Sequence, residues 1–202
     1  MSGITIRPYR AGEVSYASYL QMKYYERFYG FGDVFEHYLL AAMADFLANP
    51  AGGQLWVALD DEEIIGSIAV VKADEDHSAQ LRWFQVDADY QGQGIGKRLL
   101  DTALQFCCGQ AYTHVFLWTF RTLDAAHHLY ETFGFTQTET KLNTEWCDKP
   151  LTEERWDLQL SESSETGDCE KAYSCFFEEM NKVDQPDTQW FSVDEVKEKL
   201  DL

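Results

Sequence analysis

The spacing of apolar and polar residues along the chain changes between two periods. Short runs in which apolar residues alternate with polar ones, or dominate outright, are typical of β-strands. Longer runs repeat apolar residues every three or four positions, as in helices that bury one face. This pattern predicts strands at 3–7, 54–59, 64–72, 80–86, 114–120, 135–141 and 155–160, and helices at 13–29, 34–48, 97–108 and 124–133.

The order of these elements predicts the fold class. The chain reads β-α-α-β-β-β-α-β-α-β-β, which indicates an α/β (α+β) domain with a mixed central sheet of six to seven strands flanked by about four helices. Asp33, with Glu36 three residues later, predicts the N-cap of the second helix. Gly109 and Gly134 are placed to end the third and fourth helices as C′ glycines.

The composition changes at about residue 161. The next eight residues are small and polar, as in a linker. Beyond them, 169–180 and 192–200 can form two short amphipathic helices. This part of the chain holds twelve acidic and four basic residues. We therefore predict one domain at 1–160, followed at 161–202 by an acidic linker and a short helical C-terminal extension.

The strongest compositional signal is charge. The 202 residues carry a formal net charge of −19 at pH 7. An acidic surface repels the phosphates of nucleic acids and anionic lipids, so we expect neither a nucleic acid nor a membrane partner. The same field modestly favours cationic substrates such as amines, although acidic surfaces also serve solubility alone.

Other sequence signals bear on location and on metals. No apolar run approaches the roughly 20 residues that span a bilayer, and the first ten residues show no basic segment followed by an apolar one. The five cysteines lack paired CxxC spacing, which argues against a disulfide scaffold or a zinc site. Of the five histidines, His127 and His128 are adjacent on a predicted helix, so their side chains point apart and cannot share a metal ion. The other three are scattered along the sequence. We expect a cytoplasmic protein without a metal.

A glycine-rich turn joins the predicted fourth strand to the third helix. Gly92, Gly94 and Gly96 permit positive φ, so that successive N–H groups can point into one concavity at the helix N-terminus. That end of a helix favours anions, and a pyrophosphate fits there. Lys97 and Arg98 add positive charge in the first turn of the helix. Cations are mildly unfavourable at a helix N-terminus, so an anionic ligand best explains why they are there. The spacing matches neither the dinucleotide-binding G-x-G-x-x-G pattern nor a Walker A loop.

Two segments resemble the GNAT superfamily of acetyltransferases. The run QGQGIG at 91–96 is similar to the family's Q/R-x-x-G-x-G/A motif and follows a strand, as in the family. The run LDAAHHLYETFGF at 123–135 resembles a second signature, in which a helix carries a tyrosine and ends in Gly-Phe. The likeness covers about 4–160. It is most detailed for a bacterial branch whose members are often fused behind a MarR-type regulator.

The resemblance implies a GNAT fold that uses acetyl-CoA as co-substrate. The fourth and fifth strands would splay apart, with the pantetheine arm in the gap. Tyr130 would protonate the departing thiolate as general acid; its alternative role is that of a core aromatic. Asp124 stands where many relatives have asparagine, so its carboxylate would have to point away from the phosphates. The cofactor-binding residues implied are Phe84, Gln85, Val86, Gln91, Gly92, Gln93, Gly94, Ile95, Gly96, Lys97 and Asp124.

The general base that takes the proton from the acceptor amine is not identified. Histone-type relatives use a carboxylate on the fourth strand, but Gln80 stands at that position and accepts a proton poorly. Glu26 and Asp33 lie near the loop that lines the acceptor pocket in the family, and Glu26 is our catalytic candidate. A water relay is an equal alternative. The aromatic cluster at 24–31 forms either a pocket wall or core.

Two functions are consistent with these observations. The first is an N-acetyltransferase that moves an acetyl group from acetyl-CoA to a primary amine of a small molecule or peptide, by direct attack in a ternary complex. The second is a non-catalytic acyl-CoA-sensing module that binds a partner protein through 161–202. The sequence does not name the acceptor, because acceptor pockets are built from variable loops. A homodimer is a further expectation from the resemblance.

Overall fold

The computed structural model describes residues 3–160, which form a seven-stranded mixed sheet with helices on both faces. The strands are β1 (Thr5–Pro8), β2 (Gln54–Asp60), β3 (Glu63–Lys72), β4 (Ser78–Val86), β5 (His114–Phe120), β6 (Thr136–Asn143) and β7 (Leu151–Gln159). They lie in the order β1-β2-β3-β4-β5-β7-β6. Each neighbouring pair is antiparallel except β4 and β5, which run parallel. The predicted C-terminal extension lies outside the described residues.

Four α-helices flank the sheet in this part of the chain: α1 (Glu13–Tyr29), α2 (Asp33–Ala48), α3 (Ile95–Gly109) and α4 (Asp124–Thr132). A short 3₁₀ turn at Ala88–Tyr90 links β4 to the glycine turn. The predicted order of strands and helices is confirmed. The face of α3 that the sequence predicted is buried against the sheet, through Leu99, Leu100, Ala103, Leu104 and Cys107.

The two faces of the sheet carry separate hydrophobic cores. Strand β2 contributes to both, because successive side chains of a strand point to opposite faces. Leu55 and Val57 pack in the core under α1 and α2, whereas Trp56 and Ala58 pack in the core under α3 and α4. The central strands are therefore buried on both sides, which explains why they read as nearly continuous apolar runs.

The predicted start of α2 is corrected by the structure. Gly32, in extended backbone, is the N-cap residue, and its carbonyl accepts a hydrogen bond from the N–H of Glu36 at 3.1 Å. Asp33 makes no side-chain capping bond and lies in the first helical turn. Its negative charge there still favours the helix N-terminus.

The predicted end of α3 is also corrected. Gly109 is still helical, and the left-handed residue is Ala111, with φ of 57°. The N–H of Tyr112 donates to the carbonyl of Cys107 at 3.0 Å, and Tyr112 is buried. Because the ring of Tyr112 is anchored in the core, α3 ends beyond Gly109. After α4 the prediction is confirmed, since Gly134 has φ of 83°.

Three further observations concern the described residues. Cys107, which is buried, and Cys147 are free thiols. No helix within 3–160 has the length and apolar character needed to cross a membrane. The same stretch contains no group of three or more His, Cys, Asp or Glu side chains that could hold a metal ion.

Candidate active site

A cleft opens between β4 and β5 where their pairing stops. The parallel ladder begins with Ser78 opposite His114 and ends with Leu81 opposite Leu117, although both strands continue. Strand β5 keeps its pairing with β7 as far as Phe120. The sheet is therefore split at the C-terminal ends of β4 and β5, as the resemblance implied.

A β-bulge in β4 accompanies this split. In the ladder with β3, Trp83 and Phe84 share the space opposite the single residue Ile68. Trp83 has φ of 51°, which is unfavourable for an aromatic residue. The buried hydroxyl of Ser67 donates a hydrogen bond of 2.9 Å to the Trp83 carbonyl and stabilises this conformation. Bulges increase the local twist and bend the strand, and strained residues of this kind cluster at functional sites.

Beyond the bulge, alternate residues of β4 present their backbone to the opening. The N–H of Asp87 donates to the carbonyl of Ile65 on β3 at 2.8 Å. Backbone groups of successive residues point to opposite edges of a strand, so Gln85 faces β3 like Asp87, and Phe84 and Val86 face the opening. These two residues are placed to pair with an extended ligand. The backbone N–H and C=O of Gln85 face β3 instead, so Gln85 is not placed to pair with such a ligand through its backbone.

The cleft has a volume of about 1070 Å³ and is lined by α1, β4, the glycine turn, β5 and α4. Its size suits a long ligand. Gln93 and Asp124 are not part of its wall, and for Asp124 this agrees with the expected orientation away from the phosphates. The predicted cofactor residues that do line it are Phe84, Gln85, Val86, Gln91, Gly92, Gly94, Ile95, Gly96 and Lys97.

The glycine turn has the backbone geometry of an anion site. Gly92 and Gly94 have φ of 74° and 75°, a conformation that a side chain disfavours. Gly94 is the N-cap of α3, and no side chain caps the helix there. The N–H of Arg98 donates to the Gly94 carbonyl at 3.1 Å, which is the first turn-closing bond of the helix. The N–H groups of Ile95 and Gly96 lie in the first turn of the helix, where no carbonyl of the helix can accept from them, and they can face an anionic ligand.

The side chains around this turn have three different roles. Lys97 lines the cleft, as predicted for a residue near a pyrophosphate. Arg98 does not line it, because its guanidinium donates to the carbonyl of Ile4 at 3.0 Å; the predicted contribution of Arg98 to anion binding is therefore corrected. The side-chain amide of Gln91 donates to the Val86 carbonyl at 3.1 Å, which ties the turn to the end of β4.

Tyr130 on α4 lies in the wall of the cleft and is buried, 5% exposed. Its ring packs 6.3 Å from Phe84 and 6.2 Å from Trp156, measured between centroids. Burial raises the pKa of Tyr130 above its ordinary value of 10.0, and a hydrogen bond with Thr119 opposes this only in part. Tyr130 thus keeps its proton near neutral pH and can donate it. The two predicted roles, general acid and core aromatic, are both compatible with this position.

The aromatic cluster of α1 divides between cleft and core. Tyr24, Tyr25 and Phe28 line the cleft. Phe31 is 1% exposed and stacks on Tyr25 with 5.0 Å between ring centroids, so it belongs to the core. Burial raises the pKa of Tyr24 and of Tyr25 well above 10.0. These phenols therefore stay protonated near neutral pH, and the hydroxyl of Tyr24 forms a hydrogen bond with that of Tyr29.

The structure does not bring the predicted bases to Tyr130. Glu26 is exposed and lines a separate groove of about 360 Å³ between α1 and α2. Asp33 is exposed at the start of α2 and lines neither cavity. Among residues 3–160, the carboxylates in the wall of the large cleft are Asp87 and Asp89, beside the glycine turn. The prediction that Glu26 is the base has no support from its position.

Three basic side chains in the cleft were not anticipated. Lys23 and Arg27 lie on α1, and Arg82 lies on β4 next to the bulge. On α1 the two bases are indistinguishable in sequence from ordinary surface charges. An arginine inside a strand that reads LRWFQV is the one signal that could have drawn attention to this end of the site.

The family model described as "Acetyltransferase (GNAT) family" matches residues 18–135. This match covers more than half of the chain, which therefore belongs to the GNAT family.

Curated relatives match about half of the chain. Human N-acetylaspartate synthetase is 34% identical over 99 residues, which cover 49% of this chain and 33% of the relative. Human N-acetyltransferase 8B is 33% identical over 103 residues, 49% of this chain and 45% of the relative. The matched region thus spans less than half the length of either relative.

Solved structures share the fold over most of the chain. A GNAT-family acetyltransferase from Staphylococcus aureus Mu50 superposes with a TM-score of 0.66 at 21% identity, covering 79% of this chain and all (100%) of that one. The putative acetyltransferase yncA from Salmonella typhimurium, solved with its cofactor acetyl-CoA, gives a TM-score of 0.64 at 16% identity, covering 81% and 97%.

Proposed function

We propose that this enzyme transfers the acetyl group of acetyl-CoA to a primary amine of a small molecule or peptide, by direct attack in a ternary complex. The observation that carries the proposal is the split between β4 and β5, which joins the glycine turn at one end to Tyr130 inside one cleft. The relatives include an N-acetylaspartate synthetase and N-acetyltransferase 8B, which supports an amine acceptor.

The residues present fit acetyl-CoA. Left-handed Gly92 and Gly94 and the open N–H groups at the start of α3 suit its pyrophosphate, with Lys97 adding positive charge. The free backbone edges of Phe84 and Val86 suit the amides of its pantetheine arm. Bound there, acetyl-CoA supplies the activated acetyl thioester.

The chain's own groups then act on the developing charges. Backbone N–H donors near Val86 would stabilise negative charge at the thioester oxygen, because fixed dipoles in a cleft need no reorganisation. Tyr130, kept protonated by burial, would give its proton to the departing thiolate. Residues 3–160 place no carboxylate of the cleft beside Tyr130, so we propose that the acceptor amine loses its proton to water.

The test is CoA release from acetyl-CoA across a panel of amines, followed with a thiol reagent. The proposal predicts acceptor-dependent release that falls in the Tyr130→Phe variant. The alternative of an acyl-CoA sensor predicts binding of acetyl-CoA with no thiol produced by any amine. That alternative rests on 161–202, which lies outside the described residues. The homodimer, the cytoplasmic location and the likeness to the MarR-fused branch stay predictions.

A further inference from the structure

We propose that the acceptor carries a carboxylate besides its amine, and that Arg82, with Lys23 and Arg27, binds this carboxylate at the α1 end of the cleft. The inference deepens the proposed function and rests on it. It names the class of acceptor as anionic amines, such as amino acids or the C-terminal ends of short peptides.

The charge of the cleft is opposite to that of the chain. The whole sequence has 35 acidic and 16 basic residues. Within the described residues, the cleft wall has four lysine and arginine side chains, Lys97 being the fourth, and two acids, Asp87 and Asp89. Lys97 and both acids belong to the region of the glycine turn. The α1 end is therefore lined by positive charge alone among residues 3–160, which attracts an anion and repels a cationic acceptor. This local charge overrides the expectation, drawn from net charge, that cationic substrates are favoured.

Within residues 3–160, the three bases have no carboxylate partner. Arg7, Arg121 and Arg155 each form ion pairs with carboxylates. No carboxylate in the described part of the chain forms an ion pair with Lys23, Arg27 or Arg82. In a protein with more than twice as many acids as bases, a group of unneutralised cations in a cleft indicates a site for an external anion.

Arg82 is held in place before any ligand arrives. Its Nη2 donates to the hydroxyl of Tyr38 at 2.8 Å. Its guanidinium carbon lies 5.5 Å from the ring centroid of Tyr38 and 5.4 Å from that of Trp83. Arginine has five N–H donors, so this one bond leaves donors that match a carboxylate in a bidentate manner. The strained Trp83 of the bulge thus also positions the guanidinium.

Arg27 is oriented in a similar way on α1, with its guanidinium carbon 5.2 Å from the ring centroid of Phe28. Phe28 and Tyr24 line the same end of the cleft. Lys23 lies one turn before Arg27, so their side chains emerge on the same face of the helix. The α1 end therefore offers cations on two elements, which can hold a carboxylate while the amine points toward Tyr130.

Binding and turnover are tested separately. Protein saturated with CoA is titrated by calorimetry with the common amino acids, with their carboxamides, and with 1,5-diaminopentane. We expect the tightest ligand to carry a carboxylate, and its carboxamide to bind at least about tenfold more weakly. The inference is overturned if a diamine or a carboxamide binds best, or if no carboxylate compound binds. Turnover of the same compounds tests the proposed function alone.

Arg82→Gln and Arg27→Gln are compared with Arg10→Gln, which changes an exposed arginine outside the cleft. We expect the first two to raise the KM of the best acceptor about tenfold or more, with kcat and the KM of acetyl-CoA little changed. Arg82→Lys should restore part of the loss because it keeps the charge. If the KM of acetyl-CoA rises instead, these bases bind the phosphates of the cofactor and the inference is overturned. It is also overturned if Arg10→Gln raises the KM of the acceptor as much as the cleft variants do.

Discussion

The hydroxyl of Ser67 donates a hydrogen bond of 2.9 Å to the carbonyl of Trp83, and this buried contact holds the bulge that accompanies the opening of the sheet. Without this hydrogen bond, the positive φ of 51° at Trp83 would be energetically unfavourable. The same tryptophan packs against Phe46 in the core under α1 and α2. The contact thus connects the packing of the fold to the shape of the cleft.

Removal of this contact should affect both stability and binding. We expect Ser67→Ala to lower the free energy of unfolding by about 1–3 kcal/mol, because the buried Trp83 carbonyl loses its partner. Relaxation of the bulge should also weaken acetyl-CoA binding. Urea unfolding and calorimetry measure the two effects. Ser15→Ala, at an exposed position of α1, is the control. Identical behaviour of the two variants would contradict this role for Ser67.

The hydroxyl of Tyr130 should matter for the chemical step more than for binding. We expect Tyr130→Phe to lower kcat about a hundredfold, because the departing thiolate loses its proton donor, with the KM of acetyl-CoA little changed. Steady-state kinetics gives both constants. Tyr16→Phe changes a tyrosine that is 40% exposed and outside the cleft, and it should behave as wild type. A kcat in Tyr130→Phe equal to that of the control would assign Tyr130 to packing.

The glycine turn offers a matched pair of substitutions. Gly94→Ala places a Cβ at φ of 75°, which costs about 1–2 kcal/mol of conformational strain and should displace the N–H groups that face the anion. We expect weaker CoA binding and lower stability. Gly109→Ala lies in the last turn of α3 with nothing within 4 Å of the added carbon, and should stabilise the helix by about 0.5–1 kcal/mol. CoA affinity unchanged in Gly94→Ala would argue against the turn as the anion site.

The buried tyrosines should make the protein sensitive to alkali. Burial raises the pKa of Tyr24, Tyr25 and Tyr130 above 10.0 in the folded state. A group whose folded pKa is raised contributes stability that is complete below its unfolded pKa and is lost as pH rises through the folded value. We therefore expect stability to fall above about pH 10. Tyrosinate absorbance should rise in two stages, with exposed tyrosines first and the buried ones together with unfolding. A single early stage would contradict the burial.

The sequence predicted the order of every strand and helix of the described domain, because its periodicity is regular and glycines mark several ends. It also predicted left-handed backbone in the glycine turn, and Gly92 and Gly94 have φ of 74° and 75°. The bulge at Trp83 could not be predicted, because it depends on a bond from another strand. Arg82 and Lys23 were missed because only the fold brings β4 and α1 together. Glu26 was named because it lies near the loop between α1 and α2, but its side chain lines the groove between these helices and not the large cleft.

The central claim is that backbone amides of 91–97 bind the pyrophosphate of acetyl-CoA. Calorimetry on folded protein tests it most directly, with acetyl-CoA compared with S-acetyl-pantetheine, which lacks the pyrophosphate and the nucleotide. We predict saturable binding of acetyl-CoA, at least about tenfold tighter than that of S-acetyl-pantetheine, and a large loss of this difference in Gly94→Ala. No detectable heat with acetyl-CoA, or equal affinity for the two compounds, would contradict the account.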